Sequence, residues 1–258
     1  MGEKDKHNLS YIIDIIIRLT GIYALMQVIA YKLSESEKID RENPYLQINS
    51  KNKDYKLSLY EKSVKSVIDK AFSFIGLIVL SPVFAAISAA IYIDDPGPVF
   101  FTQKRVGKDK HFFTLHKFRS MKMSTPHDVP THQLENPEKY ITRVGAVLRK
   151  TSLDELPQIW DIFRGKMSII GPRPALWNQE DLIEQREAYG ANGILPGLTG
   201  LAQIKGRDEL QIADKAKFDG EYTAVLHSGG VRACILDIKC FIKTIGSVLK
   251  QDGVIEGG

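Results

Sequence analysis

Cysteine is scarce in this sequence, and its histidines lack the spacing of a metal-binding pair. The 258 residues include two cysteines, Cys234 and Cys240, and six histidines, no two of which lie four residues apart. The cysteine spacing matches no zinc or redox motif, and a helical histidine site needs the four-residue spacing. The sequence therefore indicates a reduced, cytosolic setting, and any metal that the protein uses is expected to have oxygen ligands.

A strong charge of either sign is also missing. Lys and Arg number 35 against 31 Asp and Glu, which gives a formal net charge of +4. This small excess suits a phosphate ligand, a membrane surface or a nucleic acid without choosing among them. Because the cations are interspersed with acids and no aromatic–basic recognition module is present, a nucleic-acid binder is disfavoured. The hydrophobic fraction of 43% is ordinary, so any membrane contact is expected to be local.

The first 60 residues are predicted to form an appendage and a linker. Residues 11–31 are strongly apolar but carry Asp14 and Arg18, which can pair on one face of a helix. That pair favours an interfacial or packing helix, because a membrane span would have to hide it. Residues 32–60 are polar and lack periodicity, which is typical of a linker.

Residues 71–93 carry no charge, and a proline interrupts them near the middle. As a straight helix they would reach roughly 34 Å, enough to cross a bilayer core. Pro82 removes a helix hydrogen bond, and the hydroxyl of Ser81 can satisfy a backbone group freed at the break. Basic residues flank the segment on both sides, which favours two cytoplasmic ends. We therefore predict a re-entrant membrane hairpin over residues 61–93, broken at Ser81-Pro82; a buried core helix of a soluble protein is the alternative.

Residues 94–258 are predicted to form a compact domain of the α+β class, mainly helical, with a small sheet. Residues 94–107 are turn-rich, and the following "KHFFTLHKFRSM" predicts short strands. Helices are predicted over 141–150, 153–164 and 177–190, and a short strand over 167–170 that runs into the stiff turn "GPRP". Residues 235–250 have a basic amphipathic pattern, typical of a helix that lies on an anionic membrane or packs against the domain.

The stretch "SLDELPQIW" places two acids, Asp154 and Glu155, side by side. The spacing of Ser152 and Glu155 matches a capping box, and Pro157 suits a first helical turn, so the acids are expected to begin a helix. The same acids could instead be catalytic carboxylates. The cations around them decide how the two interpretations are weighed.

Several cations are predicted to surround the two acids. Arg149 precedes Asp154 by five residues, Arg173 lies in the stiff turn, and Lys117 and Arg119 lie in "KFRS". Guanidinium groups and a helix N-terminus together bind phosphate oxygens. Two acids would repel a phosphate unless a divalent cation bridged them, and Mg²⁺ binds one or two carboxylates plus substrate phosphates. One carboxylate can then act as the nucleophile at phosphorus while its neighbour handles protons.

Three longer stretches carry a family pattern. They are "SPVFAAISAAIYIDDPGPVFFTQKRVGKDKHFFTLHKFRSM", "LRKTSLDELPQIWDIFRGKMSIIGPRPAL" and "PGLTGLAQIKGRDEL". Together, over about residues 60–258, they resemble the bacterial sugar transferase family, the monotopic phosphoglycosyl transferases. The resemblance implies a hairpin that enters the inner membrane and a cytosolic catalytic domain, 94–258, with amphipathic interfacial helices. It also implies transfer of a sugar-1-phosphate from a UDP-sugar to undecaprenyl phosphate with release of UMP, the first membrane step of polysaccharide assembly.

The resemblance further implies roles for single residues. Asp154 would be the nucleophile that forms a covalent phosphosugar–enzyme and contacts Mg²⁺, and Glu155 would be its partner in handling protons. The other polar positions that match the family's substrate-binding site are Lys117, Arg149, Arg173, Asp219 and Arg207. The implied partners are a UDP-sugar, undecaprenyl phosphate and membrane lipid, without nucleic acid, and a homodimer is left open.

Three positions depart from the family's common pattern. Leu195 stands where an Arg precedes "PGLTG", Leu201 stands where a Trp follows it, and Lys205 replaces a frequent Asn. The alternative to an enzyme is therefore a non-catalytic member of the family that organises a polysaccharide assembly complex. The intact pair of acids, with Arg149 and Arg173, favours the enzyme.

Overall fold

The computed structural model describes residues 58–125, 136–206 and 209–250. The helices are α1 (Ser66–Val79), α2 (Ser81–Asp94), α3 (Arg143–Thr151), α4 (Gln158–Phe163), α5 (Glu180–Ala188), α6 (Leu201–Lys205), α7 (Ile212–Ser228) and α8 (Gly230–Lys250). The strands are β1 (Phe100–Val106), β2 (Phe112–Phe118), β3 (Ser168–Ile170) and β4 (Gly197–Thr199). The predicted helix over 11–31 and Arg207 lie outside the described residues, so both stay predictions.

Helices α1 and α2 form one bent unit. Their axes meet at a bend of 60°, and α2 begins at Ser81 with Pro82 in its first turn. Pro82 has no N–H for the carbonyl of Ile78 one turn earlier, and the Ser81 hydroxyl donates to that carbonyl at 2.8 Å. The predicted break at Ser81-Pro82 is confirmed, and the serine satisfies the backbone group that the proline leaves free.

The bent unit leaves large apolar side chains outside the fold. Phe72, Ile75 and Val79 of α1 are 63%, 57% and 65% exposed, which a buried core helix would not show. In the described ranges no single helix has the length and apolar character to cross a membrane. One bent pair meets that test by length and composition: Tyr60–Val79, which is α1 with the π-helical turn Tyr60–Lys65 before it, and Ser81–Asp94. Insertion of this pair into a membrane stays a prediction.

Two small sheets complete the described fold. β1 and β2 are antiparallel, with Phe100 paired to Phe118 and Val106 to Phe112, whereas β3 and β4 are parallel. The predicted α+β class with mainly helical content is confirmed. Residues 94–107 are not all turns, because the turn-forming "DDPGP" ends at Pro98 and β1 begins shortly after it.

Helix α8 has two faces in different surroundings. Asp237 and Cys240 are buried against the domain, whereas Ile235 and Ile242 are 58% and 62% exposed. One face of α8 thus packs against the domain, and the opposite face presents apolar side chains outward. Both faces agree with the amphipathic pattern of the helix.

Candidate active site

Asp154 and Glu155 lie on a single 3-10 turn, Leu153–Glu155, between α3 and α4. The predicted capping box is wrong, because Ser152 has a left-handed backbone (φ 56°) and its side chain makes no capping bond. Ser152 instead ends α3, since its N–H bonds to carbonyls in the last turn of that helix. The continuous helix predicted over 153–164 is also wrong, because α4 begins only after the turn.

Glu155 is held by two cations from distant parts of the chain. Lys117 of β2 donates to Glu155 Oε1 at 3.0 Å, and Arg173 donates to the same oxygen at 2.7 Å and to Oε2 at 3.4 Å. Burial alone would raise the pKa of Glu155, but the charges of Arg173 and Lys117 and their hydrogen bonds hold it well below its usual range. Glu155 is therefore an ionised carboxylate with both oxygens engaged.

Asp154 is placed differently from its neighbour. Its carboxylate accepts no hydrogen bond from the part of the chain that the structure describes, although it is partly buried. Burial raises the pKa of Asp154, as does the charge of Glu155, whereas the charges of Lys117, Arg149 and Arg173 lower it. The predicted cations Lys117, Arg149 and Arg173 thus act on a carboxylate that accepts no hydrogen bond from the described residues.

The turn that carries Arg173 is fixed by close backbone contacts. The N–H of Gly171 donates to the carbonyl of Thr199, and the N–H of Gly197 donates to that of Pro172, each at 2.8 Å. A Cβ atom on Gly197 would clash with the backbone of Gly171, so glycine is required for this approach. The turns "GPRP" and "PGLTG" are therefore held together by backbone hydrogen bonds, and Arg173 lies on a rigid turn.

The profile of the bacterial sugar transferase family matches residues 60–251. This chain belongs to the bacterial sugar transferase family. Exopolysaccharide production protein ExoY of Sinorhizobium fredii is 35% identical over 203 residues, which are 73% of this chain and 87% of the relative. UDP-glucose:undecaprenyl-phosphate glucose-1-phosphate transferase of Escherichia coli is 39% identical over 176 residues, 66% of this chain and 38% of the relative. Undecaprenyl-phosphate glucose phosphotransferase of Komagataeibacter xylinus is 32% identical over 213 residues, 79% of this chain and 40% of the relative.

In this sugar transferase Asp219 is linked to Arg173 through Arg186. Asp219 is 1% exposed, and Arg186 donates to its Oδ2 from Nε at 2.8 Å and from Nη2 at 2.6 Å. The same Arg186 Nη2 donates to the backbone carbonyl of Arg173 at 2.9 Å. Asp219 therefore holds Arg186, which holds the turn that carries Arg173. Its direct contact with a substrate, as the resemblance implies, stays a prediction.

Two arginines that the sequence does not single out support the Arg173 turn. Arg186 holds the carbonyl of Arg173, and Arg105 donates to the carbonyl of Pro174 at 3.0 Å. A second nitrogen of Arg105 donates to Gln103 at 2.6 Å. Arg105 reaches across 69 residues of sequence and Arg186 across 13. Contacts at such separations leave no local pattern that would have distinguished these arginines from the other cations.

Three other cations named from the sequence, Arg149, Arg119 and Lys205, lie in different surroundings. Arg149 lies in the last turn of α3, where its charge acts on Asp154. Arg119 pairs with Asp95 and is therefore engaged elsewhere. Lys205 places its ammonium group 5.7 Å from the centre of the Phe218 ring, a cation–π contact.

The acidic turn packs against the bent helix pair. Leu153 and Leu156, on either side of the two acids, pack against a buried cluster that includes Ile91 of α2. Phe84 of the same helix packs against that cluster as well. The bent pair thus fixes the acidic turn close to the exposed apolar surface of the molecule.

Within the described residues, the acidic turn of this sugar transferase offers a magnesium ion one carboxylate, that of Asp154. Within the described ranges no group of three or more His, Cys, Asp or Glu could hold a metal ion. Both oxygens of Glu155 are engaged by Lys117 and Arg173, which leaves the Asp154 carboxylate. One carboxylate plus substrate phosphates and water is a ligand set that Mg²⁺ accepts, so the residues fit the predicted ion.

Proposed function

We propose that this sugar transferase transfers a sugar-1-phosphate from a UDP-sugar to undecaprenyl phosphate and releases UMP. The observation that carries the proposal is the acidic turn, in which Asp154, free of hydrogen bonds from the described residues, adjoins Glu155 with its two cations. Fixed cations of this kind stabilise the charge of a diphosphate and of the transition state for its cleavage. The printed names of the Escherichia coli and Komagataeibacter xylinus relatives support undecaprenyl phosphate as the acceptor.

The proposed reaction has two displacement steps at the same phosphorus. An Asp154 carboxylate oxygen attacks the phosphorus that bears the sugar, the bond to the bridging oxygen breaks, and UMP leaves with that oxygen. An oxygen of the acceptor phosphate then attacks the phosphosugar–aspartate, and the Asp154 carboxylate is released. A nucleophile that gives up no hydrogen bond on attack suits the first step.

Glu155 is better placed to position cations than to carry protons. Its oxygens hold Lys117 and Arg173 at 3.0 and 2.7 Å, so protonation of Glu155 would release both. Lys117 and Arg173 are in turn the groups that meet the substrate's phosphates. When bound at Asp154, Mg²⁺ would supply further neutralisation of the diphosphate. The role of Glu155 in proton handling stays a prediction.

The proposed location is the cytoplasmic face of the inner membrane. The exposed apolar side chains of α1 and α2 and the outward face of α8 support membrane contact. The bend at Ser81-Pro82 and the basic residues on both sides of the pair support a hairpin that enters and returns. Such a protein would keep its acidic turn at the depth of lipid phosphates, where a water-soluble UDP-sugar also reaches.

The test is an assay for UMP release by the full chain in lipid nanodiscs. The reaction contains Mg²⁺, undecaprenyl phosphate and one member of a panel of UDP-sugars. We expect release with at least one sugar, and a fall to below about a thousandth of that rate in Asp154→Asn. The matched control is Asp214→Asn, an exposed aspartate in the first turn of α7, which should keep the wild-type rate.

Two further outcomes separate the parts of this proposal. Without acceptor, wild-type protein should release one UMP per chain and gain the mass of a sugar phosphate on the peptide that contains Asp154. A wild-type rate in Asp154→Asn would remove Asp154 as nucleophile. Absence of UMP with every sugar tried would favour the non-catalytic member that organises an assembly complex.

A further inference from the structure

A cavity of about 290 Å³ adjoins the acidic turn. Its wall is mainly apolar and includes Leu156, Leu198, Ile204 and Ile245. Glu155 and Arg173 also line it, so the cavity has a charged group for an anion and an apolar remainder.

The cavity is continuous with an apolar surface of α8. Ile245 and Phe241 of α8 line it and are each 47% exposed, so they belong both to its wall and to the outward face of α8. Leu153 and Leu156 also line it, and they pack against the buried cluster that includes α2 residues. A molecule in the cavity can therefore extend along α8 onto a surface that suits hydrocarbon.

Several polar groups on the wall already have partners inside the protein. The Thr199 and Thr244 hydroxyls lie 2.7 Å apart, and Thr244 donates to the carbonyl of Cys240 at 2.8 Å. The amide nitrogen of Gln203 donates to the carbonyl of Leu198 at 3.0 Å. Gln203 Oε1 accepts no hydrogen bond from the described residues, so the wall offers one free acceptor on a mainly apolar surface, which favours an apolar occupant over a ring that needs several hydrogen bonds.

We infer that this cavity binds the phosphate-proximal isoprene units of the polyprenyl phosphate acceptor, with the acceptor's phosphate at Arg173. This inference rests on the proposed function and adds to it the place of the lipid chain. The remainder of the chain leaves past Ile245 along the outward face of α8.

The test uses two isoleucines on the same helix. Ile245 lines the cavity, and Ile242, which is 62% exposed one turn earlier, is not among its lining residues. Ile245→Trp would fill the space, Ile245→Ser would remove apolar wall, and Ile242→Trp and Ile242→Ser are the matched controls. The Ile242 side chain is 62% exposed and the Ile245 side chain is 47% exposed, so the variants are expected to fold. A thermal unfolding curve checks this.

The first measurement is equilibrium binding to the full chain in detergent. The probes are geranyl phosphate, which has two isoprene units, and ethyl phosphate, which has the same charge. Geranyl phosphate should bind the wild type and the Ile242 variants at least about tenfold more tightly than ethyl phosphate does. In both Ile245 variants the ratio of the dissociation constants of ethyl phosphate and geranyl phosphate should fall to below about threefold. Equal ratios in the Ile245 and Ile242 variants would overturn the inference.

The second measurement is steady-state transfer in nanodiscs. Ile245→Trp should raise the KM for undecaprenyl phosphate about tenfold, and leave the KM for the UDP-sugar and the acceptor-free burst of UMP unchanged. A raised KM for the UDP-sugar alone would assign the cavity to the nucleoside instead. Gln203 Oε1, which accepts no hydrogen bond from the described residues, would then receive a ring N–H.

The two proposals can fail separately. If the wild type transfers sugar phosphate but the Ile245 variants match their controls, the cavity is not the isoprenoid site and the proposed function stands. If no UDP-sugar gives UMP yet the geranyl preference depends on Ile245, the reaction is wrong and the isoprenoid site stands.

Discussion

The carboxylate of Asp237 joins the beginning and the end of the described chain, and its removal should destabilise the fold strongly. Asp237 lies on α8 and is 8% exposed. Its Oδ2 accepts from Lys65 at 2.7 Å and from the Tyr60 hydroxyl at 2.8 Å, and its Oδ1 accepts from Tyr222 at 2.8 Å. Lys65 and Tyr60 lie just before α1, so this carboxylate fastens the base of the bent helix pair to the C-terminal helix.

The expected cost follows from the burial of Lys65. Lys65 is also 8% exposed, and removing one partner of a buried ion pair costs about 3–5 kcal/mol, because the other charge remains buried without compensation. A lysine can extend its ammonium group toward water, so we take the lower end, about 3 kcal/mol. At about 2–4 °C per kcal/mol for a chain of this size, Asp237→Ala should lower the melting temperature by about 6–12 °C. Tryptophan fluorescence of the protein in detergent follows this transition.

Two further variants test whether the Lys65–Asp237 ion pair causes this loss of stability. Asp214→Ala removes an exposed aspartate of α7 and should change stability by no more than about 0.5 kcal/mol. Lys65→Met combined with Asp237→Leu replaces the buried charges by apolar groups. It should recover the part of the loss that comes from the unpaired Lys65, whereas the Tyr60 hydroxyl still loses its acceptor. If Asp237→Ala melts at the temperature of Asp214→Ala, or the double variant melts no higher than Asp237→Ala, the ion pair does not fasten these elements.

Two more predictions follow from the helix pair and from the support of the Arg173 turn. In a cysteine-free background, single cysteines at the exposed positions of Lys62 and Glu184 should both react with an impermeant maleimide from the cytoplasmic side; reaction from opposite sides would mean a span instead of a hairpin. Arg186→Lys loses the fork that holds Asp219 and the Arg173 carbonyl and should lower kcat between about tenfold and a hundredfold. An unchanged kcat in a folded Arg186→Lys protein would show that the turn needs no such support.

Features with a local cause could be predicted from the sequence. The break at Ser81-Pro82 depends on one missing N–H and one adjacent hydroxyl, and both effects are confirmed within a single turn. The capping box failed for an equally local reason, because Ser152 has two competing roles and closes α3 instead of opening a new helix. A spacing rule does not decide between a residue that ends one helix and a residue that begins the next.

The arrangement of the site depends on contacts between distant residues. The cluster of Lys117 and Arg173 around Glu155 joins positions 38 and 18 residues apart. It was expected because Lys117 and Arg173 are cations that suit a phosphate, and the acids were expected to lie among such cations. The place of Asp219 was not foreseen, since its partner Arg186 is 33 residues away on another helix. Residue chemistry thus predicted that Lys117 and Arg173 lie beside the two acids, whereas the support of Arg173 by Arg186 and Asp219 depends on how α5 and α7 pack.

The position of Asp154 relative to the apolar surfaces is set by both ends of the described chain. The bent pair packs on the acidic turn through Leu153 and Leu156, and Asp237 ties the base of that pair to α8. Helix α8 also contributes Ile245 to the cavity beside the acids. A lipid acceptor presents its phosphate at headgroup depth and its chain in hydrocarbon, so the nucleophile has to stay at a fixed depth relative to both. Under the proposed function, a helix pair that is bent by 60° and that enters and leaves the membrane on one side would meet this need, because it would place the acidic turn at the depth of the lipid phosphates.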